Sequence, residues 1–505
     1  MSVRARGSLL DALREVLGVH SVKDGCSPQG QCGCCTVWVD GQPRVSCVTP
    51  VARVRDREVT TIESLPGADA WADQFVAFGA TQCGFCTPGI IMRSAAMADE
   101  QRHDRSAVAQ MLLAHQCRCT GWQPIVDAVV GFGTSPVHMS GSDHSSGSGH
   151  FDVSGASERA TLEGRVSQSV GPLVALGGGG FADDTAPTGC LVAVRAANGE
   201  WVVGETLDEA RLLSGKVQGR RTTAPISWPI DVPAGNWYRT LQTTWVEPAY
   251  LEPDASWCAP GGEPVSSHGN GGAFGGKADG ALGEVARRLA EEHGRLVRVL
   301  NTREDVVRLG AKRPPLAIGL SDVGSGVLRV AATPGVTELM ADLFPDIAVE
   351  EVVIPGPPTS LTLRGSVWAE VAAVCATLQP GPTFTVTSPG GATASATVAP
   401  SGAIVVEVAC GEPLSEVVLR SYCVGAAHMA LGLVTSEALS VDAEGVPHDL
   451  TMRSFGVLRA VDTPPITVGI DQTGGAPVNG SDAVFAAVLA AVWAHRGFPC
   501  RWPDR

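Results

Sequence analysis

The spacing of apolar residues along the chain predicts a mixture of short strands and helices. The stretch TVWVDGQPRVS, residues 36–46, alternates apolar and polar positions around an Asp-Gly turn, which predicts a β-hairpin. GALGEVARRLAEEHG, residues 280–294, has apolar residues at helical spacing and a closing glycine. SDAVFAAVLAAVWAHRG, residues 481–497, is almost continuously apolar and predicts a buried helix, with a Ser or Asp N-cap expected at its start.

Length and composition indicate a folded protein of several domains. The 505 residues exceed one ordinary core, so two to four domains are expected. Hydrophobic residues make up 44% and charged residues 18%, which is typical of a chain that buries a core. The net charge of −15 argues against nucleic acid as a partner, because phosphate binding needs a basic surface. No signal peptide and no run of about 18 apolar residues is evident, so we expect a cytoplasmic protein without a membrane span.

The cysteines divide the chain into an N-terminal metal-binding region and the rest. Nine of the fifteen precede residue 120. Clustered cysteines in a cytoplasmic protein more often bind metal or do redox chemistry than form disulfides. The remaining six are expected to be small buried apolar residues. They are Cys190, Cys258, Cys375, Cys410, Cys423 and Cys500.

A segment rich in Ser and Gly separates the two parts. Residues 135–160 predict a flexible linker, and the histidines within it, His138, His144 and His150, are interpreted as solvated rather than as metal ligands. The predicted domains are therefore 1–66, 67–134 and, after the linker, 161–505. Glycine-rich strands alternate with helical stretches in the last of these.

The first cysteine group lies in the loop GCSPQGQCGCC and in the hairpin that follows it. Cys26, Cys32 and Cys35 share the loop, and the hairpin is expected to return Cys47 to the same point. Soft thiolates suit an iron–sulfur cluster or zinc. The spacing is that of a plant-type 2Fe–2S ferredoxin with one extra residue in the first gap, which favours a 2Fe–2S cluster and makes Cys34 a bystander. Zinc is the alternative, although its sites usually consist of paired C-x2-C knuckles.

The second group lies in QCGFCTPG and QCRCTGWQP. Cys83 and Cys86 come just before one probable helix, and Cys117 and Cys119 just before another. An antiparallel helix pair between them would bring the two motifs together. The positive N-terminal ends of the flanking helices would then favour an anionic centre between the motifs.

These two groups, ending in CGFCTPG and CRCTG, resemble the iron–sulfur part of the xanthine dehydrogenase and aldehyde oxidase family, the molybdenum hydroxylases. The resemblance is close over roughly residues 8–130. It implies an α+β multidomain fold, with a β-grasp ferredoxin-like domain and a four-helix domain that each hold one 2Fe–2S cluster. The four ligands implied for each cluster are the cysteines of the two groups. It also implies that Gln82 contacts a molybdopterin; otherwise Gln82 would be a simple surface amide.

The region after residue 160 is similar to the mixed α/β molybdopterin-binding part of the same family. GGAFGGK suggests Gly272, Phe274 and Gly275 as cofactor-binding residues, since glycines let backbone amides approach a pterin or phosphate; a tight turn is the alternative. LRGSVWAE suggests Arg364 beside the cofactor, or a surface ion pair. Met429 stands where the family often has glutamine.

Two departures from the family bear on catalysis. The region after residue 160 is about half the length that the family uses, and no flavin domain is evident, so flavin would come from a partner chain. In addition, the turn that carries the family's general-base glutamate reads NGSDA here. Ser481 stands in the glutamate's place, and Asp482 is either a shorter-reaching base or a helix cap.

Three hypotheses follow from the sequence. The first is an oxidoreductase that oxidises an N-heterocycle or aldehyde with water-derived oxygen at molybdopterin, then passes electrons through two 2Fe–2S clusters to a flavoprotein subunit or other acceptor. The second is a non-catalytic electron-transfer subunit with a degenerate molybdopterin region. The third is a zinc-stabilised structural protein.

Overall fold

A computed structural model describes the chain at residues 7–133, 153–216, 222–266, 272–277, 281–472 and 474–504. Within these ranges the strands form four sheets, and one extended apolar core runs from the N-terminal cysteine region to the C-terminal helices. The architecture is the predicted α+β multidomain one.

The N-terminal unit is a small antiparallel sheet that supports the first cysteine loop. A short helix, α1 (Leu9–Asp11), precedes the strands β1 (Thr36–Val39), β2 (Gln42–Val45) and β3 (Val59–Thr60), whose order is β2-β1-β3. The predicted hairpin is confirmed. Asp40 and Gly41 have φ values of 49° and 70° at its turn, the left-handed pair that a two-residue type I′ connection requires.

The second unit is helical. It contains α2 (Ala68–Ala77), α3 (Thr87–Ala95), α4 (Asp99–Arg102), α5 (Arg105–Met111) and α6 (Gln123–Val130). Because α4 is a single turn, four longer helices define the unit, as the resemblance implied. Pro88 and Pro124 occupy the first turns of α3 and α6, where proline costs no backbone hydrogen bond.

The remaining chain begins with helices and a five-stranded sheet of order β5-β4-β9-β7-β8. Its elements are α7 (Val153–Gly164), α8 (Pro172–Ala175), α9 (Ala182–Thr185), β4 (Leu191–Arg195), β5 (Trp201–Gly204), α10 (Leu207–Ser214), β6 (Arg239–Gln242), β7 (Ala255–Cys258), β8 (Val265–Ser266), α11 (Ala281–His293), β9 (Val297–Leu300) and α12 (Arg303–Leu309). Strand β6 belongs to the next sheet and not to this one.

Two four-stranded sheets complete the fold, in the orders β12-β11-β10-β6 and β13-β14-β15-β16. Their elements are β10 (Leu316–Leu320), β11 (Gly326–Ala331), α13 (Val336–Leu343), β12 (Ile347–Val352), α14 (Trp368–Ala376), β13 (Phe384–Thr387), β14 (Thr393–Val398), β15 (Ile404–Ala409), α15 (Glu416–Thr435), β16 (Ile466–Asp471) and α16 (Ser481–His495). Helix α16 packs between α15 and the last sheet, so its apolar sequence is buried on all sides.

The predicted linker extends too far toward the C-terminus. Helix α7 begins at Val153, so residues 153–160 are helical, with Ala156, Arg159 and Ala160 buried against the C-terminal region. Serine and glycine suggested a linker there, but burial against the rest of the fold stabilises a helix whose intrinsic propensity is weak. His138, His144 and His150 lie outside the described residues.

The six scattered cysteines follow the prediction only in part. Cys258, Cys410 and Cys423 are buried, Cys190 and Cys375 are half-buried, and Cys500 is exposed. Cys500 lies in the segment after α16, where the side chain of Trp502 is buried and that of Cys500 faces outward. The expectation of a buried residue is therefore wrong for that position.

Helix α15 is the central support of the C-terminal region. Its length and apolarity meet the criteria for a membrane span, yet 83% of its most apolar window is buried inside the protein, as in a core helix. At Gly425 a Cβ atom would lie 1.8 Å from the carbonyl oxygen of Cys119. The backbone of α15 therefore packs directly against the backbone of the second cysteine group, with no space for a side chain between them.

We predict that Gly425→Ala destabilises the protein by about 1–3 kcal/mol, because the added methyl group overlaps the Cys119 carbonyl. This loss should outweigh the gain of up to about 1 kcal/mol in helix propensity. Gly283→Ala in α11 is the matched control, since its Cβ would lie 3.3 Å from the nearest atom, Cβ of Pro264. Urea unfolding measures both, and equal stability of the two variants would contradict the proposed packing.

Candidate functional site: two thiol groups and a buried arginine–carboxylate cluster

The hairpin brings the four predicted thiols of the first group together. Cys26, Cys32 and Cys35 are each 1% exposed, and Cys47 is 7% exposed. The backbone N–H of Gln29 points at Cys26 Sγ (3.0 Å), and that of Cys47 points at Cys35 Sγ (3.5 Å). Such N–H groups stabilise thiolates bound to iron.

Cys34 is buried beside this group and lies next to Cys32. Its thiol donates to the carbonyl oxygen of Cys32 at 3.7 Å. Cys35, in contrast, receives the backbone N–H of Cys47 and lies on the side of the returning hairpin. The geometry therefore favours Cys35 over Cys34 as the fourth thiol, in agreement with the spacing.

The second group is assembled from two helix starts. Cys86 immediately precedes α3, and Cys119 lies three residues before Trp122, which precedes α6. The sulfurs of Cys83 and Cys119 are 3.5 Å apart, and Cys117 Sγ lies 3.3 Å from the Thr120 hydroxyl. The positive ends of both helices therefore face the thiols, which suits an anionic centre.

A backbone hydrogen bond links the two thiol groups. The N–H of Gln116 donates to the carbonyl oxygen of Cys32 at 3.0 Å, so a residue adjacent to Cys117 is bonded to a residue of the first group. His115 lies against Gly33, where any side chain would collide with its ring. Burial lowers the pKa of His115 to about 4, so this ring is uncharged at neutral pH.

The thiol arrangement fits two-iron clusters. Across the part of the chain that the structure describes, no group of three or more His, Cys, Asp or Glu side chains has the geometry to hold one metal ion. A structural zinc needs four donors around one ion, whereas a 2Fe–2S cluster takes two thiolates at each of two irons. Each group offers four buried thiols, which is the number that a 2Fe–2S cluster takes.

Gln82 is buried next to the second group and is not a surface amide. Its Nε2 donates to the carbonyl oxygen of Cys119 (3.1 Å) and to the hydroxyl of Ser421 on α15 (2.9 Å). Its Oε1 is buried and accepts no hydrogen bond from the residues that the structure describes. A free buried acceptor of this kind is what a ligand's N–H would satisfy.

The predicted glycine-rich loop packs against protein. A Cβ at Gly272 would lie 2.8 Å from Cβ of Arg118, and one at Gly275 would lie 1.8 Å from the carbonyl oxygen of Thr362. The Thr362 hydroxyl donates to the carbonyl of Gly275 at 2.7 Å. The guanidinium carbon of Arg364 lies over the ring of Phe274, 3.7 Å from the ring centroid. The glycines thus permit close approach of protein segments, which supports the tight-turn alternative.

Arg364 is the centre of a buried cluster. It is 1% exposed, so the alternative of a surface ion pair is wrong. Its guanidinium donates to Ser481 Oγ (3.0 Å), forms an ion pair with Asp482 Oδ1 (3.4 Å) and contacts Met429 Sδ (3.4 Å). Burial lowers the pKa of Arg364, and the Asp482 carboxylate opposes that shift. The structure therefore brings together residues from three segments that are distant in the sequence.

The carboxylate of Asp482 forms ion pairs with two arginines. Besides Arg364, the guanidinium of Arg165 forms an ion pair with its carboxylate. A general base needs a free oxygen to accept a proton, whereas both carboxylate oxygens of Asp482 lie against guanidinium groups. The arrangement is that of an internal ion-pair cluster rather than of a free base.

The expected Ser or Asp cap of α16 is wrong. Helix α16 begins at Ser481 itself, and its first N–H groups are bound by other side chains. Asn479 Oδ1 accepts from the N–H of Asp482 (3.0 Å), and the Glu163 carboxylate accepts from Gly480 (3.0 Å) and Ser481 (2.9 Å). These acceptors free the side chains of Ser481 and Asp482 for the arginines.

The space around Arg364 is too small for a molybdopterin. The cavity there has a volume of about 20 Å³, lined among others by Arg118, Phe274, Met429 and Phe485. That is room for roughly one water, whereas cofactor pockets occupy about 300–1,000 Å³. A cavity of about 370 Å³ lies beside Lys277, but none of the predicted cofactor or catalytic residues lines it. Together with the occupied Asp482, the residues present do not fit the cofactor.

Sequence reasoning missed the charged partners at this site. Glu163 and Arg165 flank Gly164 at the end of α7, and no motif marks them. Arg118 lies between two predicted ligands, yet its partner Glu437 is 319 positions away, and the two form a bidentate contact at 2.6 and 2.8 Å. Only the fold pairs residues so far apart.

Comparison with known proteins agrees with the thiol geometry. A family model described as a 2Fe-2S binding domain matches residues 61–130. The xanthine dehydrogenase iron-sulfur-binding subunit of Escherichia coli O157:H7 is 39% identical over 130 residues, 25% of this chain and 81% of that protein. The nicotinate dehydrogenase small FeS subunit of Eubacterium barkeri is 38% identical over 125 residues, 24% of this chain and 79% of that protein.

The chain belongs to the xanthine dehydrogenase and aldehyde oxidoreductase family. The aldehyde oxidoreductase of Megalodesulfovibrio gigas is 42% identical over 139 residues, but that match spans only 15% of its length and 25% of this chain. The aldehyde oxidoreductase structure from Desulfovibrio desulfuricans matches with a TM-score of 0.68 and 16% identity, over 97% of this chain and 96% of that one. The resemblance in fold thus extends beyond the cysteine region, which is where the sequence similarity lies.

We predict that Cys35→Ala lowers the iron content by about two atoms per chain, because a 2Fe–2S cluster needs four thiolates. Cys34→Ala should leave iron content unchanged and is the matched control, since the two cysteines are adjacent and equally buried. Iron analysis of both variants, purified without oxygen, decides the ligand set. Iron loss in Cys34→Ala alone would reverse the assignment.

We predict that Asp482→Ala destabilises the protein by about 3–5 kcal/mol, because it leaves the buried Arg364 uncompensated. Asp462→Ala removes the partner of Arg459 in an exposed pair and should cost no more than about 1 kcal/mol. Urea unfolding compares them. A small effect of Asp482→Ala would show that the buried cluster tolerates loss of its carboxylate.

Proposed function

We propose that this protein is an electron-transfer component of a molybdenum hydroxylase-type oxidoreductase and carries one 2Fe–2S cluster on each thiol group. The observation that carries the proposal is the hydrogen bond from Gln116 to the Cys32 carbonyl, because it links the two groups directly. Each cluster accepts one electron, so the two together store the electron pair released by one two-electron oxidation.

The proposed path follows the fold. Electrons enter at the second group, which is covered by α15, and leave from the first group, which lies on the small sheet. The acceptor is a flavoprotein subunit or another electron carrier, as the sequence predicted. The small-subunit relatives from Escherichia coli and Eubacterium barkeri support an assembly with further chains, one of which would oxidise the small-molecule substrate. The predicted cytoplasmic location is part of this proposal.

Oxidation of an N-heterocycle or aldehyde by this chain itself is the second candidate. The observation in its favour is the free Oε1 of Gln82, which a bound cofactor would satisfy. Against it are the filled space at Arg364 and the two arginines on Asp482.

We predict about four irons per chain and no molybdenum in protein purified anaerobically from a host that supplies the cofactor. Reduction should produce two different electron paramagnetic resonance signals, one for each cluster. Elemental analysis for iron, zinc and molybdenum tests this. Molybdenum near one per chain would establish the second candidate, and zinc without iron would overturn both.

A further inference from the structure

Thr120 is a buried threonine inside the second thiol group. It directly follows Cys119 and is 1% exposed. Its hydroxyl oxygen lies 3.3 Å from Cys117 Sγ. Among the residues that the structure describes, no other hydroxyl lies within hydrogen-bond distance of a sulfur of either thiol group. The contact is therefore specific to one threonine and one sulfur.

A second hydrogen bond fixes the direction in which the Thr120 hydroxyl donates. The backbone N–H of Trp122 donates to the same oxygen at 3.3 Å, so this oxygen already acts as an acceptor. A cysteine that binds a metal does so as a thiolate and has no proton to give, so Cys117 can only accept. The hydroxyl has one proton, and that proton is available for the sulfur. Thr120 therefore accepts from Trp122 and donates to Cys117.

The turn that holds Thr120 is packed tightly enough to exclude water. Gly121 and Trp122 have φ values of 63° and 69°, so the chain bends sharply and brings the Trp122 N–H back to the Thr120 hydroxyl. Helix α15 packs directly on this turn, because a Cβ at Gly121 would lie 2.8 Å from the carbonyl oxygen of Val424. In such a dry environment a hydrogen bond is stronger than in water, and no solvent molecule replaces it when it is removed.

We propose that the Thr120 hydroxyl raises the reduction potential of the cluster on the second thiol group by donating a hydrogen bond to the Cys117 sulfur. The proposal rests on the proposed function, since it assumes a 2Fe–2S cluster at this group. Reduction adds one negative charge, part of which lies on the sulfurs, and a hydrogen-bond donor stabilises the more negative state. The hydroxyl proton stays on the Thr120 oxygen, so the step transfers one electron and no proton.

The two thiol groups differ in the kind of donor that their sulfurs receive. In the first group the donors are the backbone N–H groups of Gln29 and Cys47, which any residue except proline supplies. In the second group the donor is a side chain, so its presence depends on the identity of residue 120. Thr120 can therefore change the potential of one cluster without changing that of the other. In the proposed path the second cluster receives the electron first, and a higher potential there favours that uptake.

Thr120→Val tests the proposal, because it replaces the hydroxyl with a methyl group of similar size. The equilibrium constant for reduction of the second cluster should fall by about tenfold, the effect of one lost hydrogen bond to a charged acceptor. For one electron this corresponds to a midpoint potential lower by about 59 mV. A redox titration followed by electron paramagnetic resonance measures it, and the signal that persists in Cys35→Ala identifies the second cluster. An unchanged midpoint of that signal would overturn the proposal.

Two further variants separate the hydrogen bond from general packing effects. Thr120→Ser keeps the hydroxyl and should restore the wild-type midpoint. Thr87→Val is the matched control, since Thr87 also directly follows a predicted ligand, Cys86, and is 2% exposed. Its hydroxyl is hydrogen-bonded to that of Thr81 at 3.0 Å and not to a sulfur. Thr87→Val should therefore leave both midpoints unchanged, and a shift equal to that of Thr120→Val would contradict a role for the hydrogen bond to Cys117.

Iron content distinguishes a change of potential from loss of the cluster. Thr120→Val also removes the acceptor of the Trp122 N–H, so Thr120→Ala is made beside it and either variant that retains its iron decides the question. Loss of iron in both variants would overturn the proposal, because the hydroxyl would then be required for assembly of the cluster. Failure of the proposed function appears separately, in the wild-type protein, as fewer than about four irons per chain or a single resonance signal.

Discussion

The buried contact between Arg118 and Glu437 is the constraint on which the arrangement of the two halves depends. Arg118 stands between two predicted cluster ligands, and Glu437 follows α15 in the C-terminal region. Each charge is almost fully buried, and either one alone would cost several kcal/mol in that position. The bidentate geometry allows one relative placement of the cysteine motif and α15, and the close approach at Gly425 uses the same placement.

Other polar contacts also join the cysteine region to the C-terminal region. Gln123 exchanges two hydrogen bonds with the backbone of Ile466, and the indole of Trp122 donates to the carbonyl of Leu458. Gln82 reaches Ser421 in the same way. The cysteine region and the C-terminal region are therefore joined by specific polar contacts within one core, and the C-terminal region covers the second thiol group.

The site at Arg364 is a buried cluster of opposite charges. Ser481 and Asp482 occupy a turn where the resemblance placed a catalytic base, but their side chains complete an ion-pair cluster with Arg165 and Arg364. A buried charge needs a partner of opposite charge, so the buried Arg364 requires the carboxylate of Asp482 beside it. In the two thiol groups, by contrast, all eight cysteines are buried.

The sequence by itself determined the local chemistry. The hairpin before Cys47 and the prolines that open α3 and α6 depend on residues near one another in the chain, and the structure agrees with both. The spacing of the cysteines, from which the cluster ligands are predicted, is equally local. The tertiary structure alone decided the contacts between residues that lie hundreds of positions apart in the chain. The helix at Val153, the caps of α16 and the occupation of Asp482 follow from burial against distant segments, because the cost of burying a charge or a backbone group depends on what the fold places next to it.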